Sequence, residues 1–177
     1  MRMNKRLIYK GREISLELIE GKINKKEIKK AIIIFPKTVA ILPLTSKDKI
    51  VLVKQYRFPP KKELWEIPAG KLEKGEKPEI GVKRELKEET GFEAGKLEKI
   101  REFYLSPGYS TEYMYLFKAT SLKKGKQLFD KGEMIKDVKI FKLKEVLEMI
   151  KKKKIIDAKT ILAVISEIKN KSLWNLL

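Results

Sequence analysis

Apolar and polar residues alternate with period two early in the chain: Ile14, Leu16 and Leu18 share one face, and a second strand-like run covers Ala31 to Phe35. A Gly21–Lys22 turn signal between them predicts a hairpin, and Leu7 to Tyr9 predicts a further strand before Gly11. Three such strands make a small antiparallel sheet that cannot stand alone. Past a boundary near Pro36, apolar runs at Thr38 to Pro43 and Ile50 to Tyr56 flank the polar Thr45 to Lys49, a second hairpin. The segment WEIPAG, Trp65 to Gly70, predicts a strand ending at Pro68, with Ala69 and Gly70 turning the chain. Further strands are predicted at Glu98 to Leu105, Glu112 to Ala119 and Lys136 to Leu143. Helical spacing holds over Pro78 to Thr90, Lys144 to Lys152 and Ala158 to Lys169, the last with Ile161, Leu162, Ile165 and Ile168 as its core stripe. The pattern predicts an α/β (α+β) fold in which a small N-terminal β-sheet region, residues 1–36, precedes a main domain, residues 37–177.

The helix at Pro78 carries the chemistry. Proline suits its first position and Gly91 its left-handed stop. Glu85, Glu88 and Glu89 stand at i, i+3 and i+4, so their carboxylates share a face, with Val82 and Leu86 marking an opposing buried side. Carboxylates so close raise one another's pKa unless a cation neutralises them, and hard oxygen ligands suit Mg²⁺ or Mn²⁺. Gly81 costs roughly 1 kcal/mol in mid-helix and so predicts a close approach. A Glu-rich helix is ordinarily a solvated, salt-bridged surface. Against that stands the coincidence of Gly70, Glu76, Arg84, Glu85, Glu88, Glu89 and Gly91, with odds on the order of 10⁻⁷ per starting point at ordinary residue usage.

The segment GKLEKGEKPEIGVKRELKEETGF, Gly70 to Phe92, resembles the Nudix box, G-x5-E-x7-R-E-U-x-E-E-x-G-U, at every specified position. The resemblance implies a Nudix-type α/β/α sandwich with a mixed sheet, and Mg²⁺- or Mn²⁺-dependent hydrolysis of a nucleoside diphosphate linked to a further group. It implies metal ligation by Glu85, Glu89 and the Ala69 carbonyl, with Glu88 as a further ligand. Arg84 would orient the glutamates and Glu76 support them from the entering loop. The segment SPGYSTE, Ser106 to Glu112, is by itself a turn leading into a strand. Beside the box it resembles the signature of ADP-ribose pyrophosphatases, which would put Pro107 and Gly108 in the substrate site and give Glu112 the attacking water. In the same resemblance Glu66 lines the substrate pocket. In VKQYR, Val53 to Arg57, a lone arginine at a strand end is ordinarily surface, but the likeness of this segment to the QYR of ADP-ribose pyrophosphatases makes Arg57 a candidate for phosphate, whose oxygens a guanidinium matches in bidentate fashion. The N-terminal sheet would serve a homodimer and help form the adenosine site. The start of the box also approaches a phosphate-binding P-loop, but Glu76 stands where that loop needs lysine.

Composition narrows the chemistry. With no cysteine and no histidine among 177 residues, disulfides, thiolate nucleophiles, zinc fingers and histidine bases are excluded, so carboxylates, lysines and metal must act. Forty-two basic against 24 acidic residues, a net +18, raises a second class of function, an RNA-binding or regulatory protein on a Nudix scaffold. The lysines are scattered, however, without aromatic interleaving, which favours an attractive field for phosphates over a nucleic-acid interface. Another nucleoside diphosphate sugar or dinucleotide is the alternative within hydrolases. No run approaches the roughly 18 apolar residues of a membrane span, nor does the N-terminus carry an apolar signal segment, so a cytoplasmic protein is expected.

Overall fold

The computed structural model describes residues 3–125 and 134–168 and divides into two units. One comprises Met1–Thr38 with Glu102–Tyr115, the other Val39–Arg101 with Leu116–Leu177. In the first, β1 (Met3–Lys10), β2 (Ser15–Ile23) and β3 (Lys26–Ile34) form an antiparallel sheet in that order. The β2–β3 turn lies at Asn24 and Lys25, both at positive φ (50° and 65°), rather than at Gly21–Lys22. Such paired left-handed residues match the strand twist. Cross-strand charge agrees with this register: Glu20 lies opposite Lys29, with an ion pair at 2.9 Å, and Lys22 opposite Glu27, at 3.6 Å. A turn at Gly21 would break both pairs. The Ser106–Glu112 segment is stitched to the end of β3: Ile33 N donates to Tyr109 O, Thr111 N to Ile33 O, and Phe35 N to Thr111 Oγ1 at 2.8 Å.

The second unit is built on β4 (Thr38–Ser46), β5 (Lys49–Arg57), β6 (Lys62–Glu66), β7 (Ala69–Lys71), β9 (Lys96–Tyr104), β10 (Tyr113–Thr120) and β12 (Ile135–Lys142). Their sheet runs β12-β5-β4-β10-β9, with β6 added to β5 and β7 to β4; the division between units falls within β9 and β10. Two-residue strands β8 (Phe92–Glu93) and β11 (Lys123–Lys124) pair separately. Three helices, α1 (Pro78–Thr90), α2 (Leu143–Lys151) and α3 (Ala158–Glu167), complete the mixed α+β fold that the sequence predicts. β4 is buried continuously from Thr38 to Leu44, as a strand covered on both faces must be. Leu52, Ile67, Leu86, Leu116, Phe117 and Leu147 are likewise buried in the core.

Several local expectations shift for identifiable reasons. β6 stops at Glu66, not Pro68, and Ala69–Lys71 is a strand rather than a turn. Pro68 has no N–H for a ladder, yet its carbonyl accepts from Ile41 N at 3.0 Å, so the chain passes from β5 to β4 through it. Leu143 opens α2 instead of closing a strand, because the Glu145 carboxylate reaches back to Lys142 N at 2.7 Å. α3 turns its buried face to Lys159, Thr160, Ala163 and Val164, while Leu162 of the expected stripe is 37% exposed. Polar anchoring of the helix start overrides simple apolar periodicity there. Lys169, the last residue of the expected helix, lies outside the described residues.

Candidate active site

Local rules place the box glutamates. Pro78 starts α1, and Gly91, at φ 74°, ends it by donating its N–H to Lys87 O. Gly81 is the predicted close approach: a Cβ there would come within 2.4 Å of Leu72 Cδ2 and 2.9 Å of Glu76 Oε2. The buried arc takes in Gly81, Val82, Glu85, Leu86 and Glu89, so two of the three glutamates lie inside it rather than opposite. Glu89 is only 1% exposed. The reason lies in β7, where bare backbone receives a carboxylate. A Cβ at Gly70 would sit 2.1 Å from Glu85 Cδ and Oε1 and 2.3 Å from Oε2.

Arg84 organises the rest. Its Nε and Nη2 grip Glu76 Oε1 and Oε2, each at 3.0 Å; Nη1 donates to Glu85 Oε1 at 2.8 Å and Glu88 Oε2 at 3.0 Å; Nη2 also reaches the Lys71 carbonyl at 3.0 Å. All five guanidinium donors are thereby used, a fork geometry lysine cannot supply. Hydrogen bonding to Arg84 holds Glu76 below the usual carboxylate range, and the Glu76 contact chiefly raises Arg84 in return.

A second constellation joins Arg57, at the end of β5, to Glu66, at the end of β6, by a bidentate pair: Nε to Oε1 at 2.8 Å and Nη2 to Oε2 at 2.7 Å. Burial pushes Glu66 up, but Arg57 and Lys159 outweigh it and the carboxyl is held down. Glu66 raises Arg57 in turn, with a smaller contribution from the field of Glu89. The sequence reading did not include Lys159 or Asp157 at the start of α3. Asp157 as a cap before an apolar helix was a readable signal; the partnership of Lys159 with a residue 93 positions away was not.

Pro107, Gly108 and Glu112 belong to the first unit. Ser106 O accepts from Tyr109 N and Ser110 N, making the turn; Glu112 N donates to Ser110 Oγ at 3.1 Å. Pro107 and Gly108 line a cavity of about 830 Å³ together with Phe35, Lys37, Glu102, Tyr104, Tyr113 and Tyr115. Tyr113 meets Tyr104 and Tyr115 edge-on, with ring centroids 4.9 and 5.4 Å apart, and Lys37 Nζ donates to Tyr115 Oη at 3.1 Å. An aromatic wall flanked by one ammonium, Lys37, and one carboxylate, Glu102, suits a flat polar ring.

Nudix hydrolases generally need a divalent metal. Among the described residues no three acidic side chains stand ready as a metal cluster, and Glu76, Glu85 and Glu88 are each bonded to Arg84. The donor set nonetheless fits a hard cation. Gly70 lets the Glu85 carboxylate lie on the β7 backbone that carries the Ala69 carbonyl, and one guanidinium faces three carboxylates.

Known proteins bear on the same residues. The chain is 43% identical over 143 residues to an ADP-ribose pyrophosphatase of Bacillus subtilis (strain 168), covering 77% of this chain and 75% of that one. It is 42% identical over 118 residues to a methanol dehydrogenase activator of Bacillus methanolicus, covering 66% and 64%. A solved structure described as an ADP compounds hydrolase superposes with a TM-score of 0.78 at 20% identity, over 92% of this chain and 89% of that one, a likeness of fold. A NUDIX domain model matches residues 34–164, which span the Arg84 network, the Arg57–Glu66 pair and the Ser106–Glu112 loop, and so the chain belongs to the Nudix family and is a Nudix hydrolase.

Proposed function

We propose that the protein hydrolyses ADP-ribose to AMP and ribose 5-phosphate, by water attack on the pyrophosphate. The observation that carries this is the gathering of Glu76, Glu85 and Glu88 of the box on Arg84, in a chain 43% identical over most of its length to an ADP-ribose pyrophosphatase. Glu85, Glu88, Glu89 and the Ala69 carbonyl would hold Mg²⁺, or Mn²⁺ in its place. A cation bound there neutralises phosphate oxygens and lowers the pKa of water. Arg84 and Glu76 keep the carboxylates in place. Arg57, backed by Glu66, offers its Nη1 edge to the diphosphate. Pro107 and Gly108 shape the substrate cavity, and Glu112 orients the attacking water.

The reading carries with it a cytoplasmic substrate pool and a homodimer built on residues 1–36, with 37–177 as the hydrolase domain. Support for the dimer comes from β1, where Leu7, Ile8 and the 60%-exposed Tyr9 leave apolar surface uncovered. Among the described residues no helix is long and apolar enough to cross a membrane.

The test is AMP release from ADP-ribose with Mg²⁺, with and without EDTA, beside ADP-glucose, GDP-mannose, NADH, diadenosine polyphosphate and nucleoside triphosphates. EDTA-sensitive release strongest with ADP-ribose is expected. Preference for another substrate would replace the sugar assignment and keep the hydrolase. The likeness to a methanol dehydrogenase activator favours a second reading, a regulatory protein on this scaffold. Stimulation of a dehydrogenase by a box variant that cannot hydrolyse would establish it.

A further inference from the structure

α3 begins with a buried ammonium that the box does not explain. Lys159 is 9% exposed, a position in which a charge is costly unless fully paired. It donates to Glu66 Oε2 and, at 2.9 Å, to Asp157 Oδ1. Asp157 Oδ2 in turn accepts from Thr160 N at 3.0 Å and from Thr160 Oγ1 at 2.5 Å, capping the helix. Thr160 Oγ1 accepts from Ile67 N at 2.9 Å. The helix start therefore holds both Glu66 and the residue after it. Glu66 Oε2 is shared between Lys159 Nζ and Arg57 Nη2, so the plane of the carboxylate and that of the guanidinium are set together. Arg57 meets Glu66 through Nε and Nη2, which points its Nη1 away from Glu66 on a side chain 37% exposed.

We propose that Lys159 and Asp157 are positioning residues of the substrate site, acting through Glu66 to fix the plane in which Arg57 offers Nη1 to the diphosphate of a nucleotide substrate. This rests on the phosphate role given to Arg57 above. Bidentate phosphate recognition tolerates little rotation of the guanidinium, so a guanidinium held by one flexible carboxylate would bind less well than one held by a carboxylate clamped from behind. Neither residue touches substrate.

The experiment compares wild type, Lys159→Met, Lys159→Arg, Arg57→Met and the Lys159→Met/Arg57→Met double variant in Mg²⁺ with ADP-ribose, each checked for folding by circular dichroism. Lys159→Met should raise KM about tenfold with kcat within about threefold, and Lys159→Arg should recover part of the loss. In the Arg57→Met background Lys159→Met should change KM by less than about twofold, since the route through Arg57 is already cut. Additive losses, an unchanged KM, or a loss confined to kcat would overturn the proposal. If Lys159→Met does not fold, Asp157→Asn, which keeps the shape of the cap, runs the same cycle. The Arg57 Nε–H resonance, assigned by its absence in Arg57→Met, gives a readout free of turnover: sharp in the wild type and broadened in Lys159→Met or Asp157→Asn. An unchanged resonance overturns the positioning role. A wild type that hydrolyses no nucleoside diphosphate sinks the hydrolysis reading instead, and the resonance alone then decides this one.

Discussion

Gly70→Ala is a direct steric test of the site, because the three atoms nearest the added methyl all belong to the Glu85 carboxyl group. The methyl would lie 2.1 Å from Glu85 Cδ and Oε1, far inside contact distance, so the carboxylate must move by more than an ångström. Moving it breaks the 2.8 Å bond from Arg84 Nη1, a charge-assisted contact worth about 1.5–3 kcal/mol, and overpacking adds about 1–3 kcal/mol. A loss of roughly 2.5–6 kcal/mol corresponds to a fall in Tm of about 5–24 °C for a chain of this size. Misplacing a group that acts on the reacting centre by about 1 Å costs on the order of 10²-fold in rate, so kcat/KM for ADP-ribose should drop at least that far. Thermal unfolding and AMP release measure the two effects on one preparation. Gly108→Ala, with nothing within 4 Å of its Cβ, is the stability control and should melt like the wild type. A Gly70→Ala protein with normal Tm and normal turnover would refute the packing of Glu85 on β7.

Three further perturbations probe other parts of the argument. Glu89→Gln removes one buried charge, proposed above as a metal ligand, at nearly constant shape, so turnover should fall by orders of magnitude while circular dichroism stays unchanged; near-normal turnover in the folded variant would sink the metal assignment. Arg84→Lys exchanges a five-donor fork for a point charge, and should cost about 10²-fold in kcat or more, with a lower Tm; a wild-type rate would show that gathering the glutamates is not its role. Hydrogen bonds from Lys136 and then Lys54 lower Glu63 from its ordinary 4.5 to about 2. A pKa depressed by folding gives stability that is complete above the unfolded value and lost as pH falls through the folded one, so the urea midpoint should fall between about pH 4.5 and 2. Glu63→Gln should flatten the curve in that window, and an identical acid profile in the variant would remove Glu63 from the account.

How far the molecule was legible from its residues depends on the range of the force responsible. α1 could be read end to end, because proline at its start, glycine at its stop and the i, i+3, i+4 spacing of Glu85, Glu88 and Glu89 act within a few residues. The β4–β5 hairpin was legible for the same reason. The β2–β3 turn was misplaced because Asn24 and Lys25, not Gly21, take up the left-handed conformation, in the register that appears only when the strands are laid together. The face of α3 was misread because its burial follows the anchoring of Asp157, Lys159 and Thr160 to Glu66 and Ile67, not its own apolar period.

By itself, then, the sequence determined the family, the class of fold, the identities of the box residues and the exclusion of histidine and cysteine chemistry, since each depends on residue type and local spacing. Tertiary structure alone decided that Glu85 and Glu89 are buried, that Arg84 spends all five donors on Glu76, Glu85, Glu88 and the Lys71 carbonyl, and that Glu66 stands between Arg57 and Lys159. The physical reason is that a charge buried away from water must find its counter-charge wherever the fold delivers one, and for Glu66 the fold delivers it from 93 residues along the chain.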